Sequence, residues 1–273
     1  MPMQPRPMAE TSRLLFPNLR VCIRDSSSPA HYSLRMIISV INQTSGEISD
    51  PDLLAAIRAV NQQIAYDFAP FWNMPATLRL EGTRLQQPRA NLSAAVMRGD
   101  AVLYVSSATT DDEGEGFHNR NFRGIPYGVV YSEVSEQTGD PWSVTFSHEA
   151  LELIADPQAN NYVMGPSPHD RRKKVFYWFE MCDPVSSQTY RIGDVALQNF
   201  LLPAYFEPPV PGARTNFLGT DLEPFGIAPE SYVGYYDPEK QSQETAHADT
   251  RGKARHEIRR RFGQTRSHRR QEG

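Results

Sequence analysis

Ser147-His148-Glu149-Ala150-Leu151-Glu152-Leu153-Ile154-Ala155-Asp156-Pro157 is the stretch from which the rest of the chain is read. Asp140-Pro141 stands a short way before it, a helix-start signal, and Pro157 disfavours a helical residue ahead of it, so a helix is predicted from Pro141 to about Asp156. Helix positions four apart differ by about 40 degrees around the axis and about 6 Å along it. His148 and Glu152 therefore project side by side, with Glu149 turned about 100 degrees away. Trp142, Val144, Phe146, Leu151, Leu153 and Ile154 are spread all around the axis, which predicts a buried helix. Ionised carboxylates in such a helix are costly unless they are paired, so the cluster calls for a cation.

A His and a carboxylate four apart on a helix can hold one metal ion. The pattern is HExxH with its second His replaced by Glu152, which makes His148 and Glu152 the expected ligands and Glu149 the expected general base toward the attacking water. A carboxylate binds zinc much as imidazole does but is a harder donor, so the ion is read as Zn2+ with another divalent cation as the alternative. Glu180, Asp183 and Asp156 are the candidates for a third ligand. Asp156 lies about 12 Å along the helix from His148, which suits an orienting or backbone-capping role. Glu180 and Asp183, three apart near the end of an aromatic strand, would face opposite sides of it, and Glu180 is the favoured ligand.

Working outward, a strand is predicted at Leu34 to Ile41. A helix from an Asp50 cap to about Phe68 follows, with Leu53, Ile57, Val60 and Ile64 on one face. Strands follow at Ala76 to Leu80, Ala101 to Ser106 and Ile125 to Val134, then the motif helix. Beyond Pro157 the prediction is a buried strand over Val175 to Cys182 and an extended pair, Tyr190 to Ile192 and Val195 to Phe206, turning at Gly193 and Asp194. No internal repeat is present.

This order and the motif together resemble the zincin metallopeptidases over roughly residues 34 to 183. The string HEALELIADP with the later Glu180-Met181-Cys182-Asp183 looks like a divergent HExxE group distantly similar to exordium-type proteins. The resemblance implies a zincin-like α/β domain with a mixed, mainly parallel sheet, an active-site helix after an edge strand that pairs with substrate backbone, and an irregular C-terminal lobe. It implies a metal-dependent hydrolase, a zinc metallopeptidase acting on a peptide or protein substrate, with His148, Glu152 and Glu180 on the metal and Glu149 as base. The alternative is a non-catalytic, metal-stabilised interaction protein of the same fold. Composition and charge divide the chain into an N-terminal extension over 1–30, the metal-binding domain over 31–206, an irregular wrap over 207–249 and a disordered basic tail over 250–273.

Other residues carry less chemistry. His118 reads as a loop histidine, and Tyr162, His169, Tyr177 and Tyr190 are each candidates for stabilising an oxyanion opposite Glu149. Gly114 and Gly116 sit among Asp111, Asp112, Glu113 and Glu115 and lack a phosphate loop's lysine. Cys22 and Cys182 have no metal-type spacing and are read as free thiols.

The 273 residues are 39% hydrophobic and 22% charged with net charge -4, which excludes a fully disordered chain. Apolar runs such as Met36 to Ile41 fall far short of the roughly 20 residues that cross a bilayer, so no membrane association is expected. Residues 1 to 20 show early prolines and no secretory apolar core, which makes the cytoplasm the expected location. Residues 251 to 273 hold eight Arg and one Lys against Glu257 and Glu272, or +7, leaving -11 on residues 1 to 250. A solvated terminus is the expected reading of that tail. Non-specific contact with nucleic acid is the alternative, and no aromatic interleaving or recognition motif favours it.

Overall fold

The structure, a computed structural model, describes residues 35–83, 99–107, 119–120 and 124–261. It opens with strand β1 (Met36–Gln43) and helix α1 (Asp50–Gln62). The Ser49 hydroxyl accepts the Asp52 amide as the cap, so the cap lies one residue before the expected Asp50, whose carboxylate instead accepts a hydrogen bond from the Asn42 side chain. Helical winding continues past α1 as a wider π turn (Gln63–Phe68) and α2 (Ala69–Trp72), ending at left-handed Asn73. Two side-chain bonds hold this extension: Gln63 donates to the Gln198 carbonyl and the Trp72 indole to the Leu201 carbonyl.

Strands β2 (Ala76–Thr83), β3 (Ala101–Ser106), β4 (Asn119–Arg120) and β5 (Pro126–Tyr131) complete the first sheet, in the order β2-β1-β3-β5-β4. The first four are mutually parallel and β4 is antiparallel. Its centre is nearly continuous apolar sequence, with Ile38, Val40, Val102, Leu103 and Val105 all buried, as expected of parallel strands covered on both faces. This is an α/β architecture. The strand ahead of the motif departs from expectation twice. It ends at Tyr131, where the chain turns into helix α3 (Ser132–Thr138), closed by left-handed Gly139. It is also not the edge, because Asn119 and Arg120 pair with Tyr127 and Pro126 on its outer side.

Helix α4 (Trp142–Ala155) carries the motif, and every residue from Ser143 to Ala155 is buried. It packs against β5, α1, α3 and strand β9 (Val195–Gln198), which forms a hairpin with β8 (Thr189–Ile192) through Gly193 in the left-handed region. The rest of the chain builds an antiparallel sheet from β6 (Tyr162–Pro166), β7 (Lys174–Trp178), β10 (Tyr232–Asp237) and β11 (Ser242–His247), in the order β11-β10-β7-β6. The layout expected from sequence changes here: β10 and β11 lie inside the supposed 207–249 wrap, yet they pair with each other and β10 pairs with β7, so the wrap shares a sheet with the metal-binding segment. The basic tail is corrected as well. Residues Thr250–Arg261 form helix α5, capped by Asp249, whose carboxylate accepts the Gly252 amide. Residues 262–273 lie outside the described ones, as do Cys22, Gly114, Gly116 and His118.

Candidate metal centre

The centre is assembled from four separate pieces of chain. Helix α4 supplies His148, Glu149 and Glu152, which are 1%, 3% and 4% exposed. The segment after β7 supplies Glu180, Cys182 and Asp183, β10 supplies Tyr232 and α5 supplies Arg259, all buried. The strand over Val175 to Cys182 stops at Trp178, which overturns the argument that Glu180 and Asp183 face opposite sides. Past Trp178 the backbone leaves the ladder. The Cys182 amide donates to the Glu152 carboxylate at 3.2 Å, the Met181 carbonyl accepts the Leu201 amide, and Asp183-Pro184 opens a one-turn helix (Asp183–Val185). Both acids then turn inward.

The His148 Nε2 atom is 3.2 Å from Glu152 Oε1 and 3.4 Å from Asp183 Oδ1. Asp183, rather than the expected Glu180, is thus the downstream acid that reaches His148. Glu180 is buried beside Glu149 and raises its proton affinity through charge. The side-chain donors of His148, Glu152 and Cys182 lie within 4.8 Å of one another. Cys182 is a free thiol whose pKa burial pushes well up, with Glu152 and Asp183 adding to the rise. Asp156 takes its expected structural role, since its carboxylate accepts the Asn160 and Asn161 amides at the C-terminal end of α4.

Sequence reasoning did not foresee Arg259. Its Nη1 lies 3.1 Å from Nε2 and 3.4 Å from Nδ1 of His148. An atom at those two distances in the ring plane would collide with the carbon between the nitrogens, so Nη1 lies over the imidazole face. The in-plane directions of both nitrogens stay clear of it. Tyr232 was also missed. Its hydroxyl lies near Asp183 without reaching full hydrogen-bond geometry. The four expected oxyanion partners are all placed elsewhere. Tyr162 is exposed and meets Trp178 edge to face, His169 is exposed, Tyr177 donates to the Pro166 carbonyl and Tyr190 to Asp67.

Burial is the main cause of a Glu149 pKa raised to about 7, with His148 and Arg259 pulling it down and Glu180 and Asp183 pushing it up. Asp183 moves the other way. Burial works against its charge, but the hydrogen bond and charge of His148, then Arg259 and Tyr232, hold it below the usual carboxylate range. Two similar carboxyls are thereby set apart, one able to exchange a proton near neutrality and one fixed as an anion.

Compared with known proteins, the chain matches no family model, no curated protein and no solved structure.

The donor set suits a divalent cation. Around a tetrahedral ion with bonds of about 2.0 to 2.2 Å, neighbouring ligand atoms stand about 3.3 to 3.6 Å apart, close to the His148 to Glu152 and His148 to Asp183 separations. Glu149, Glu152, Glu180 and Asp183 set four carboxylates against the Arg259 guanidinium, a formal charge of 1 minus 4, or -3, before His148 or a carboxyl takes a proton. An added dication brings that to -1, and a proton on Glu149 to zero.

Proposed function

We propose that the protein is a metal-dependent hydrolase of zincin-like type, acting on peptide bonds with Glu149 as general base. The observation that carries this is the convergence of the His148, Glu152 and Cys182 donor atoms within 4.8 Å of one another, with Asp183 held on His148, beside a buried carboxyl poised near pH 7. His148, Glu152 and Cys182 would hold the ion, Zn2+ or another divalent cation, with Asp183 beside His148. A bound ion supplies Lewis acidity toward water and a carbonyl. Glu149 takes the proton of the attacking water and returns it to the leaving amine, a transfer that a pKa near the working pH favours. The edge-strand element of the zincin reading has less support, because β4 covers β5 at Tyr127 and Pro126.

A second reading has one observation in its favour. Arg259 already brings a permanent cation to the cluster, and a protonated His148 could bridge Glu152 and Asp183 without metal, leaving a non-catalytic interaction protein. Metal content and peptide hydrolysis of purified protein separate the two. Stoichiometric metal that His148→Ala and Glu152→Ala lose and Glu149→Gln retains, with hydrolysis falling by a factor of about 100 to 10,000 in Glu149→Gln, supports the hydrolase. Absence of stoichiometric metal overturns it, and stoichiometric metal without Glu149-dependent hydrolysis supports a structural ion.

A further inference from the structure

We propose that Arg259 is a catalytic residue of this site, the donor that receives the oxyanion of the substrate carbonyl through the edge formed by its Nε and Nη2. The inference rests on the hydrolase reading and assigns a role that reading leaves open, since Tyr162 and His169 are exposed and the Tyr177 and Tyr190 hydroxyls donate to other partners.

Three observations carry it. Arg259 is 0% exposed, yet among the described residues only Nη1 has a hydrogen-bond contact, the one over His148, while Nε and Nη2 have none. A guanidinium in the protein interior with two vacant donors is costly, and those two share the edge that arginine uses for bidentate contact with an oxyanion. With Nη1 over the His148 ring, the guanidinium sits beside a ligand of the proposed ion without blocking the ring-plane directions of the imidazole nitrogens. On its other side the acidic cluster borders a small pocket lined by Glu180 and Asp183, which does not extend to Arg259, His148 or Glu149.

The step balances. Water loses a proton to Glu149 and its oxygen forms a bond to the carbonyl carbon, while the π pair moves onto the carbonyl oxygen. Arg259 donates two hydrogen bonds to that oxygen and transfers no proton. The pair then returns, the C–N bond breaks, and the amine leaves with the proton from Glu149. Donors aimed at developing charge in a closed site stabilise the transition state more than the ground state.

Methylphosphonate, a tetrahedral anion, is the probe, with affinity measured calorimetrically on the full chain loaded with Zn2+. Wild type should bind it only when Zn2+ is present, because the unloaded cluster repels anions. Arg259→Gln should bind it about 10- to 100-fold more weakly, and Arg259→Lys, which keeps the charge but lacks the two-donor edge, should fall between. Zn2+ stoichiometry should be unchanged in both. In wild type alone, the Arg259 Nε–H resonance should shift on adding methylphosphonate, a readout that no variant has to fold for. Equal methylphosphonate affinity in wild type and Arg259→Gln, or an unmoved Nε–H resonance in a zinc-loaded protein, overturns the assignment. Failure of wild type to take up Zn2+ overturns the metal reading beneath it.

Discussion

Gly252 tests whether the basic C-terminal segment is a docked helix or a solvated tail, because the two predict opposite signs for Gly252→Ala. A Cβ at Gly252 would fall on the Ser231 carbonyl oxygen and come within 3.0 Å of the Ser231 amide nitrogen, atoms of buried backbone next to β10 that cannot rotate away. Overpacking of this kind costs about 1 to 3 kcal/mol. The better helix propensity of alanine returns at most about 1 kcal/mol. With fixed backbone on the receiving side the upper part of the range applies, for a net loss of about 2 kcal/mol, or roughly 4 to 8 °C in melting temperature for a domain of this size. Any shift of α5 that relieves the clash would also draw Arg259 away from the carboxylates. Calorimetric melting of wild type, Gly252→Ala and Ala254→Gly is the assay. Ala254 is exposed on the same helix, so its replacement should cost up to about 1 kcal/mol through propensity alone. A Gly252→Ala protein that melts at or above wild type, with Ala254→Gly neutral, would refute the docked helix.

In metal-free protein, the Glu149 pKa raised from 4.5 to about 7 contributes stability fully present below about pH 4.5 and lost as pH rises through about 7. Glu149→Gln should accordingly melt above wild type at pH 8, with the gap closing by pH 5; a gap independent of pH would sink the assignment. His256, whose pKa burial and His247 lower to about 4, contributes stability lost as pH falls from 6.5 toward 4, but it does so in both proteins and cancels in the comparison. Arg255 donates to Asp140 ahead of α4, each side chain about 15% exposed, and a double-mutant cycle with Asp140→Asn and Arg255→Gln should give a coupling of about 1 kcal/mol. A coupling under about 0.3 kcal/mol would mean that the pair does not tie α5 to α4.

What could be read in advance was what depends on local pattern. Proline and capping signals place the start of α1 and both ends of α4 within a residue or two, and the helical period puts His148 and Glu152 together. What escaped depends on distant chain. Asp183 was subordinated to Glu180 by a strand rule that fails because Pro184 follows and Glu152 captures the Cys182 amide. Helix α5 escaped because its buried stripe is Gly252, His256 and Arg259, residues that a search for apolar periodicity scores as solvent-facing. Its one local signal was Asp249, a capping residue just ahead of it. Arg259 is legible only once an anionic cavity exists for it to enter.

Arg259 stands 111 residues after His148. Synthesis runs from the N-terminus, so α4 and its carboxylates leave the ribosome well before the guanidinium that joins them. A nascent chain up to β10 has every acid of the cluster and lacks its fixed cation, which favours protonated or solvated carboxyls over a closed core. Final closure is therefore a late, long-range event of the kind that slows folding. A chain released early, before residue 259, would keep its cluster open to water and to proteases, so that synthesis past Arg259 is itself read out as burial of the site.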